Sequence, residues 1–178
     1  KPFKCKSFPD GSLNKHKAII CTHGGMQQWG QNYWETYSPV VNMLSFKMLL
    51  VLTKIHNLES KAIDFVLDFP QADLDVDIWM ELPLGFDPQD DPGNASRYLL
   101  KLNANLYGLK QAPYSWFEKP KKGLIDRDFK PSEIDPCLYM GNGMIIQTYV
   151  DDCIIVGPPM KNIDAFIKSM KDGPETSS

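Results

Sequence analysis

Asp151 and Asp152 stand side by side between two short apolar runs, Met144 to Val150 and Cys153 to Gly157. Adjacent carboxylates repel each other, and an apolar setting adds a desolvation cost. Either the pair is a solvated Asp-Asp turn, or a divalent cation neutralises it. Carboxylate oxygens suit Mg²⁺, with Mn²⁺ as the second choice. A third carboxylate, Asp64, interrupts the apolar run Ala62-Ile63-Asp64-Phe65-Val66-Leu67. Buried and unpaired it would be costly, so it faces solvent or the same cation. Three carboxylates on neighbouring strands are the pattern of a two-metal phosphoryl-transfer site. There one ion activates an attacking hydroxyl and the other neutralises the leaving group, with the ions roughly 3.5–4 Å apart.

The elements that must position these residues follow from periodicity. The two runs around Asp151-Asp152 are each of strand length, rich in Ile, Val and Met, and nearly continuous. They predict a buried β-hairpin with both aspartates at its tip. Lys61 to Leu67, Ile78 to Leu82 and Arg97 to Leu102 read as further strands, and Asp135-Pro136-Cys137-Leu138-Tyr139 leads into another. Gly141-Asn142-Gly143 turns that one into the central hairpin. Phe3 to Ser7 and Leu13 to Cys21, joined by Pro9-Asp10-Gly11-Ser12, form a hairpin with lysines on one face. A helix opens at Ser38-Pro39, with Leu44, Met48, Val51, Leu52 and Ile55 on one apolar face toward the core, and ends near Asn57. A second starts near Pro113 with Trp116, Phe117, Leu124 and Phe129 inward, and Pro120 should kink or break it. A third spans Met160 to Lys171 with Ile163, Phe166, Ile167 and Met170 inward. The assembly is α+β, an antiparallel sheet with helices packed on one face.

A length of 178 residues suits one domain with a core of its own. The net charge of −3 does not advertise nucleic-acid binding, but its distribution is uneven. Lys1, Lys4, Lys6, Lys15 and Lys17 make the start basic, residues 60–100 are dominated by aspartate, and residues 101–130 are basic again. An acidic centre between basic flanks fits a metal site beside a phosphate track. Cys5, Cys21, Cys137 and Cys153 are too widely spaced for a zinc motif and read as reduced thiols. No apolar run reaches the ~18 residues of a membrane span, and no signal peptide precedes Phe3. The start at Lys1, without an initiator Met, suggests a piece of something longer.

The motifs together resemble the reverse transcriptases of copia-type (Pseudoviridae) LTR retrotransposons. The matching segments are Glu35-Thr36-Tyr37-Ser38-Pro39-Val40-Val41; Ala62-Ile63-Asp64 with Phe69, Asp73-Leu74 and Ile78-Trp79-Met80-Glu81; Leu106-Tyr107-Gly108-Leu109-Lys110-Gln111-Ala112-Pro113 with Trp116; Asp135-Pro136-Cys137-Leu138-Tyr139; and Tyr149-Val150-Asp151-Asp152. They stand in family order. The resemblance implies a right-hand polymerase domain over 1–172, with fingers at about 1–60, palm at about 61–172, and a frayed end at 173–178. It implies Asp64, Asp151 and Asp152 as catalytic metal ligands, with Phe65 beside the metal and triphosphate through its backbone. Phe69 would lie under the incoming sugar and exclude a 2′ hydroxyl. Tyr107, Gly108, Lys110, Lys17 and Tyr149 would line the substrate site. The implied partners are an RNA or DNA template–primer and dNTP, plus the thumb, RNase H and integrase of the Pol polyprotein. The implied location is the cytoplasm, in virus-like particles.

The chain also departs from the family. Lys17-Ala18-Ile19-Ile20-Cys21-Thr22-His23 stands where two arginines are usual, leaving Lys15 and Lys17 as the cations there. Asp68 adds a negative charge near Asp64, Pro120 interrupts a helix, and thumb and RNase H segments are missing. These departures suggest an inactive, truncated retroelement remnant that at most binds template–primer. Read without the resemblance, the carboxylates also fit a metal-dependent phosphodiesterase, although no His or Lys beside them offers a general acid.

Overall fold

The structure is a computed structural model that describes residues 3–64, 70, 72–83, 85–86, 88, 91 and 93–171. Along the chain the elements are β1 (Phe3–Ser7), β2 (Leu13–Ala18), α1 (Met43–Ile55), β3 (Glu59–Asp64), β4 (Trp79–Glu81), β5 (Leu99–Lys101), α2 (Ala112–Ile125), β6 (Lys130–Pro131), β7 (Leu138–Gly141), β8 (Met144–Tyr149), β9 (Asp152–Gly157) and α3 (Met160–Lys171). Among the described residues every strand pairing is antiparallel, and the fold class is α+β as expected. The chain forms two compact units, 1–36 with 69–115 and 37–68 with 116–178.

In the first unit, β1 and β2 form the lysine-rich hairpin. Lys4 lies opposite Lys17 and Lys6 opposite Lys15, so four cations share one face. The side-chain hydroxyl and then the backbone N–H of Ser12 donate to Asp10, hold its carboxyl below the usual range, and pin the turn. Strands β4 and β5 form a second short ribbon, shorter than the runs read from sequence. Ile78, Leu109 and Ala112 make a small core with Leu74, Val76, Leu102 and Leu106.

The second unit holds a five-stranded sheet in the order β3-β9-β8-β7-β6. Asn142 and Gly143 both take positive φ (53° and 72°), which favours the turn that joins β7 to β8 with two residues. Helix α3 packs on β3 and β9 and presents Ile163, Phe166 and Ile167 to the sheet. Leu124, Phe129, Tyr139, Ile146, Cys153 and Ile155 complete that core.

Three expectations are corrected. Helix α1 starts at Met43 with Asn42 as N-cap, whose side chain accepts from the Leu44 N–H at 2.9 Å, and not at Ser38-Pro39. Its predicted inward face is exposed: Leu44, Met48, Val51 and Ile55 are all more than half accessible, and Leu49 is the buried residue. Helical spacing identifies an apolar face but not what covers it, and here α3 covers the sheet. Finally, of the kink or break expected at Pro120, the break does not occur, because α2 runs across it from Ala112 to Ile125. Trp116 and Leu124, four residues to either side, are both buried and anchor both halves.

Burial pushes the Cys153 thiol up to about 12, and burial followed by the Asp135 charge pushes Cys137 up to about 11. Tyr139 is raised as well, first by burial. Groups whose folded pKa lies above the unfolded value stabilise fully below the unfolded pKa, here 9.0 for a thiol. That contribution is lost as pH rises toward 11–12. The expected melting curve is therefore flat to about pH 8.5 and then falls by several kcal/mol of stability by about pH 11. Thermal melts at half-unit intervals check it, and an unchanged midpoint at pH 11 contradicts it.

Candidate active site

Strands β3 and β9 are hydrogen-bonded neighbours, in the register Asp64 opposite Asp152. Across the other edge of β9, Asp152 lies opposite Tyr149. Tyr149, Asp152 and Asp64 thus form one row across three strands, on the sheet face opposite Cys153 and Ile63. Residues directly opposite in an antiparallel pair have Cβ atoms about 4.5–5.5 Å apart, so Asp64 and Asp152 are close like charges. Two strands nearly ninety residues apart in sequence deliver these two carboxylates to one place.

The hairpin tip differs from expectation by one residue. The two-residue turn is Val150-Asp151, and Asp152 is already the first residue of β9. The predicted burial holds for the strands, but Asp64, Asp151 and Asp152 themselves are exposed. Water, not apolar surroundings, offsets much of their mutual repulsion. Val150 takes φ 54°, and a β-branched residue there is strained by about 1–3 kcal/mol. Asp151 is absent from the positive-φ residues, so only the first central position of the turn is left-handed, as in a type II′ hairpin. The indole N–H of Trp116 donates to the Val150 carbonyl at 2.6 Å. Sequence reading placed Trp116 in the core but missed this bond, although a buried indole N–H usually needs an acceptor.

Oxygen donors, exposure and direct register make Asp64 and Asp152 a fitting pair for a hard divalent cation. Asp151 lies one residue away on the turn. Among the described residues, no three His, Cys, Asp or Glu side chains are grouped to hold a metal ion. The pair is assembled and the triad is not. Phe65, Asp68 and Phe69 lie outside the described residues.

The remaining sequence candidates belong to the first unit. Lys17 is exposed on the lysine face of the hairpin. The Tyr107 carbonyl accepts from the Thr22 backbone N–H at 2.8 Å and from its hydroxyl at 3.2 Å. Gly108, at φ 95°, passes so close to Thr22 that a Cβ would overlap the Thr22 carbonyl oxygen. Gly24 makes the reciprocal approach to the Gly108 carbonyl. The Lys110 ammonium donates to the Gln27 carbonyl (3.3 Å) and the Tyr33 hydroxyl (3.2 Å), and lies 4.7 Å from the Tyr33 ring centroid. Gln27 in turn accepts from the Lys110 backbone N–H and donates to the buried Gln111 side chain. This pins the irregular segment 22–37 to the 107–111 loop. Gln27 was missed by sequence reading. The one signal for the network was Gln111, a polar residue that the structure buries completely just before α2.

The geometry defines an α+β domain that brings a carboxylate pair together beside a strained hairpin turn. Residues 3–176 match the family model described as reverse transcriptase (RNA-dependent DNA polymerase). The chain is 36% identical over 160 residues to the retrovirus-related Pol polyprotein from transposon TNT 1-94 of Nicotiana tabacum, covering 87% of this chain and 12% of that protein. It is 35% and 33% identical over 159 residues to those from transposons RE1 and RE2 of Arabidopsis thaliana, each covering 87% of this chain and 11% of the relative. No solved structure matches. The chain belongs to the reverse transcriptase family, and the copia-type resemblance read from its motifs is borne out. The chain spans only about a ninth to an eighth of the length of these Pol relatives. No helix among the described residues is long and apolar enough to cross a membrane.

Proposed function

We propose that this chain is the fingers–palm portion, fingers about 1–60 and palm about 61–172, of an element's RNA-directed DNA polymerase. In this reading it adds deoxynucleotides to a primer 3′ end on an RNA or DNA template. The observation that carries the reading is the direct register of Asp64 opposite Asp152, next to Asp151 on the turn. Asp64, Asp151 and Asp152 would hold Mg²⁺ or Mn²⁺. Bound there, the cation would lower the pKa of the primer hydroxyl and neutralise charge on the triphosphate. The 3′ oxygen forms a bond to the α-phosphorus, the bond to the β-phosphate oxygen breaks, pyrophosphate leaves with the electron pair, and the hydroxyl proton passes to solvent.

The chain's own residues bind and orient. Tyr149, in the row with Asp152, offers a half-exposed ring beside the carboxylates. Lys17 and its neighbouring lysines supply a cationic face for phosphates. The family resemblance assigns Tyr107, Gly108 and Lys110 to substrate binding; within the first unit the Lys110 ammonium is already held by the Gln27 carbonyl and the Tyr33 hydroxyl. Phe65 would lie near the triphosphate through its amide, and Phe69 would exclude a ribose 2′ hydroxyl. The intact element would add thumb, RNase H and integrase, and would act in cytoplasmic particles.

A second reading is a folded but inactive remnant. The absence of a grouped carboxylate triad among the described residues favours it, as do the missing arginines of segment 17–23. Primer extension on an RNA template with labelled dNTP, in Mg²⁺ and in Mn²⁺, separates the two. The polymerase reading expects extension by the wild-type chain and none by Asp151→Asn. No extension by the wild-type chain selects the remnant, and extension by Asp151→Asn rejects the site.

A further inference from the structure

We infer that Trp116 is a positioning residue for Asp151: its indole N–H fixes the Val150–Asp151 peptide and so sets the direction of the Asp151 carboxylate. This rests on the polymerase reading for its functional meaning, but not for its geometry.

The physical problem is a two-residue turn with the wrong residues for one. Hairpin turns of this length favour Asn, Asp or Gly where φ is positive, and here a valine occupies that position. The two turn types open to such a hairpin differ by a flip of the central peptide. One makes φ positive at both central residues, the other at the first alone. The central peptide here is Val150–Asp151, and its carbonyl is the atom that Trp116 holds at 2.6 Å. A flip would carry that carbonyl away from the indole and would reset φ at Asp151, redirecting its side chain.

Trp116 is 3% exposed in α2, whereas Val150 and Tyr149 are about half exposed. The donor is therefore fixed by packing, and the carbonyl is brought to it. A buried indole N–H without an acceptor is unfavourable, which gives the bond its selectivity between the two peptide orientations. Trp116 touches neither substrate nor metal in this scheme.

The test uses the full chain. Trp116→Phe keeps an aromatic ring and removes the donor. The expected result is a kcat for primer extension lower by about ten- to a hundredfold, the range seen when an outer-shell partner of a ligand is lost. KM for template–primer should change by less than about twofold, because a purely local reorientation leaves the rest of the ground-state contacts intact. The Mn²⁺ concentration for half-saturation, followed by electron paramagnetic resonance, should rise. A folded Trp116→Phe chain with unchanged kcat and unchanged Mn²⁺ binding overturns the inference. A parallel rise in KM also does, because it points to general loosening. Should Trp116→Phe fail to fold by circular dichroism, benzothienylalanine at 116 replaces it, with the indole's shape but no N–H, and the same criteria apply. Absence of extension by the wild-type chain sinks the polymerase reading alone. The inference is then decided by Mn²⁺ binding: weakened by Trp116→Phe as by Asp151→Asn supports it, while unchanged binding, or none in the wild-type chain, overturns it.

Discussion

Asp64→Asn is expected to cut nucleotide addition by about a thousandfold or more while leaving the metal-free chain slightly more stable. The first half follows from the several kcal/mol of transition-state charge stabilisation that a correctly held cation supplies, since about 4 kcal/mol is a thousandfold in rate. The second half follows from the register. Asp64 and Asp152 are directly opposed like charges on neighbouring strands, an arrangement that destabilises a sheet. Neutralising either should return about a few tenths of a kcal/mol, because both are exposed and water screens them. A residue kept for the fold behaves in the opposite sense, losing stability when replaced. Single-turnover extension and thermal melts, at low and high salt, check both halves together. The gain should shrink in high salt and vanish when saturating Mn²⁺ is added to both proteins. Retained activity would remove Asp64 from the site. A loss of stability would make it a structural residue.

Local pattern carried the elements of the second unit, because each depends on short-range chemistry. The apolar runs around Asp151-Asp152 became β8 and β9, and Asn142-Gly143 became the turn that the residue types demand. The face of α3 was legible because its inward residues keep helical spacing and the sheet supplies one place to bury them. Helix α1 shows the limit of the same logic. Its apolar residues lie nearly all round the helix instead of on one stripe, so spacing does not single out the inward side, and Leu44, Val51 and Ile55 face outward while Leu49 is buried. The exact tip of the hairpin was also illegible. Turn statistics favour Asp over Val at positive φ, and the observed turn places Val150 there instead. Tertiary contacts overrode local preference, and the Trp116 bond to the Val150 carbonyl is one of them. The register that brings Asp64 to Asp152 had the same origin. Composition could show that both belong on strands, but only the pairing of β3 with β9 puts them face to face.

The first unit carries the second large prediction. Gly108→Ala is expected to destabilise the chain by about 3 kcal/mol or more and to disorganise the segment around Gly24 to Tyr33, without removing any group that touches a ligand. Two effects add. At φ 95° an alanine is strained whatever its surroundings, and its Cβ would also overlap the Thr22 carbonyl oxygen. The overlap is with backbone, so no side-chain rotation relieves it. Moving Thr22 away breaks its N–H bond to the Tyr107 carbonyl, and the Gln27 contacts with Lys110 and Gln111 lie on the same short segment. The sequence resemblance reads Gly108 as a pocket residue, and an activity loss in Gly108→Ala would be taken to support that. The crossing of two backbones explains the glycine without a ligand. Hydrogen exchange decides between the two accounts: faster exchange at Thr22, Gln27 and Lys110 in the substrate-free variant is the expected result. Unchanged protection there, with dNTP affinity lost, would return Gly108 to the pocket.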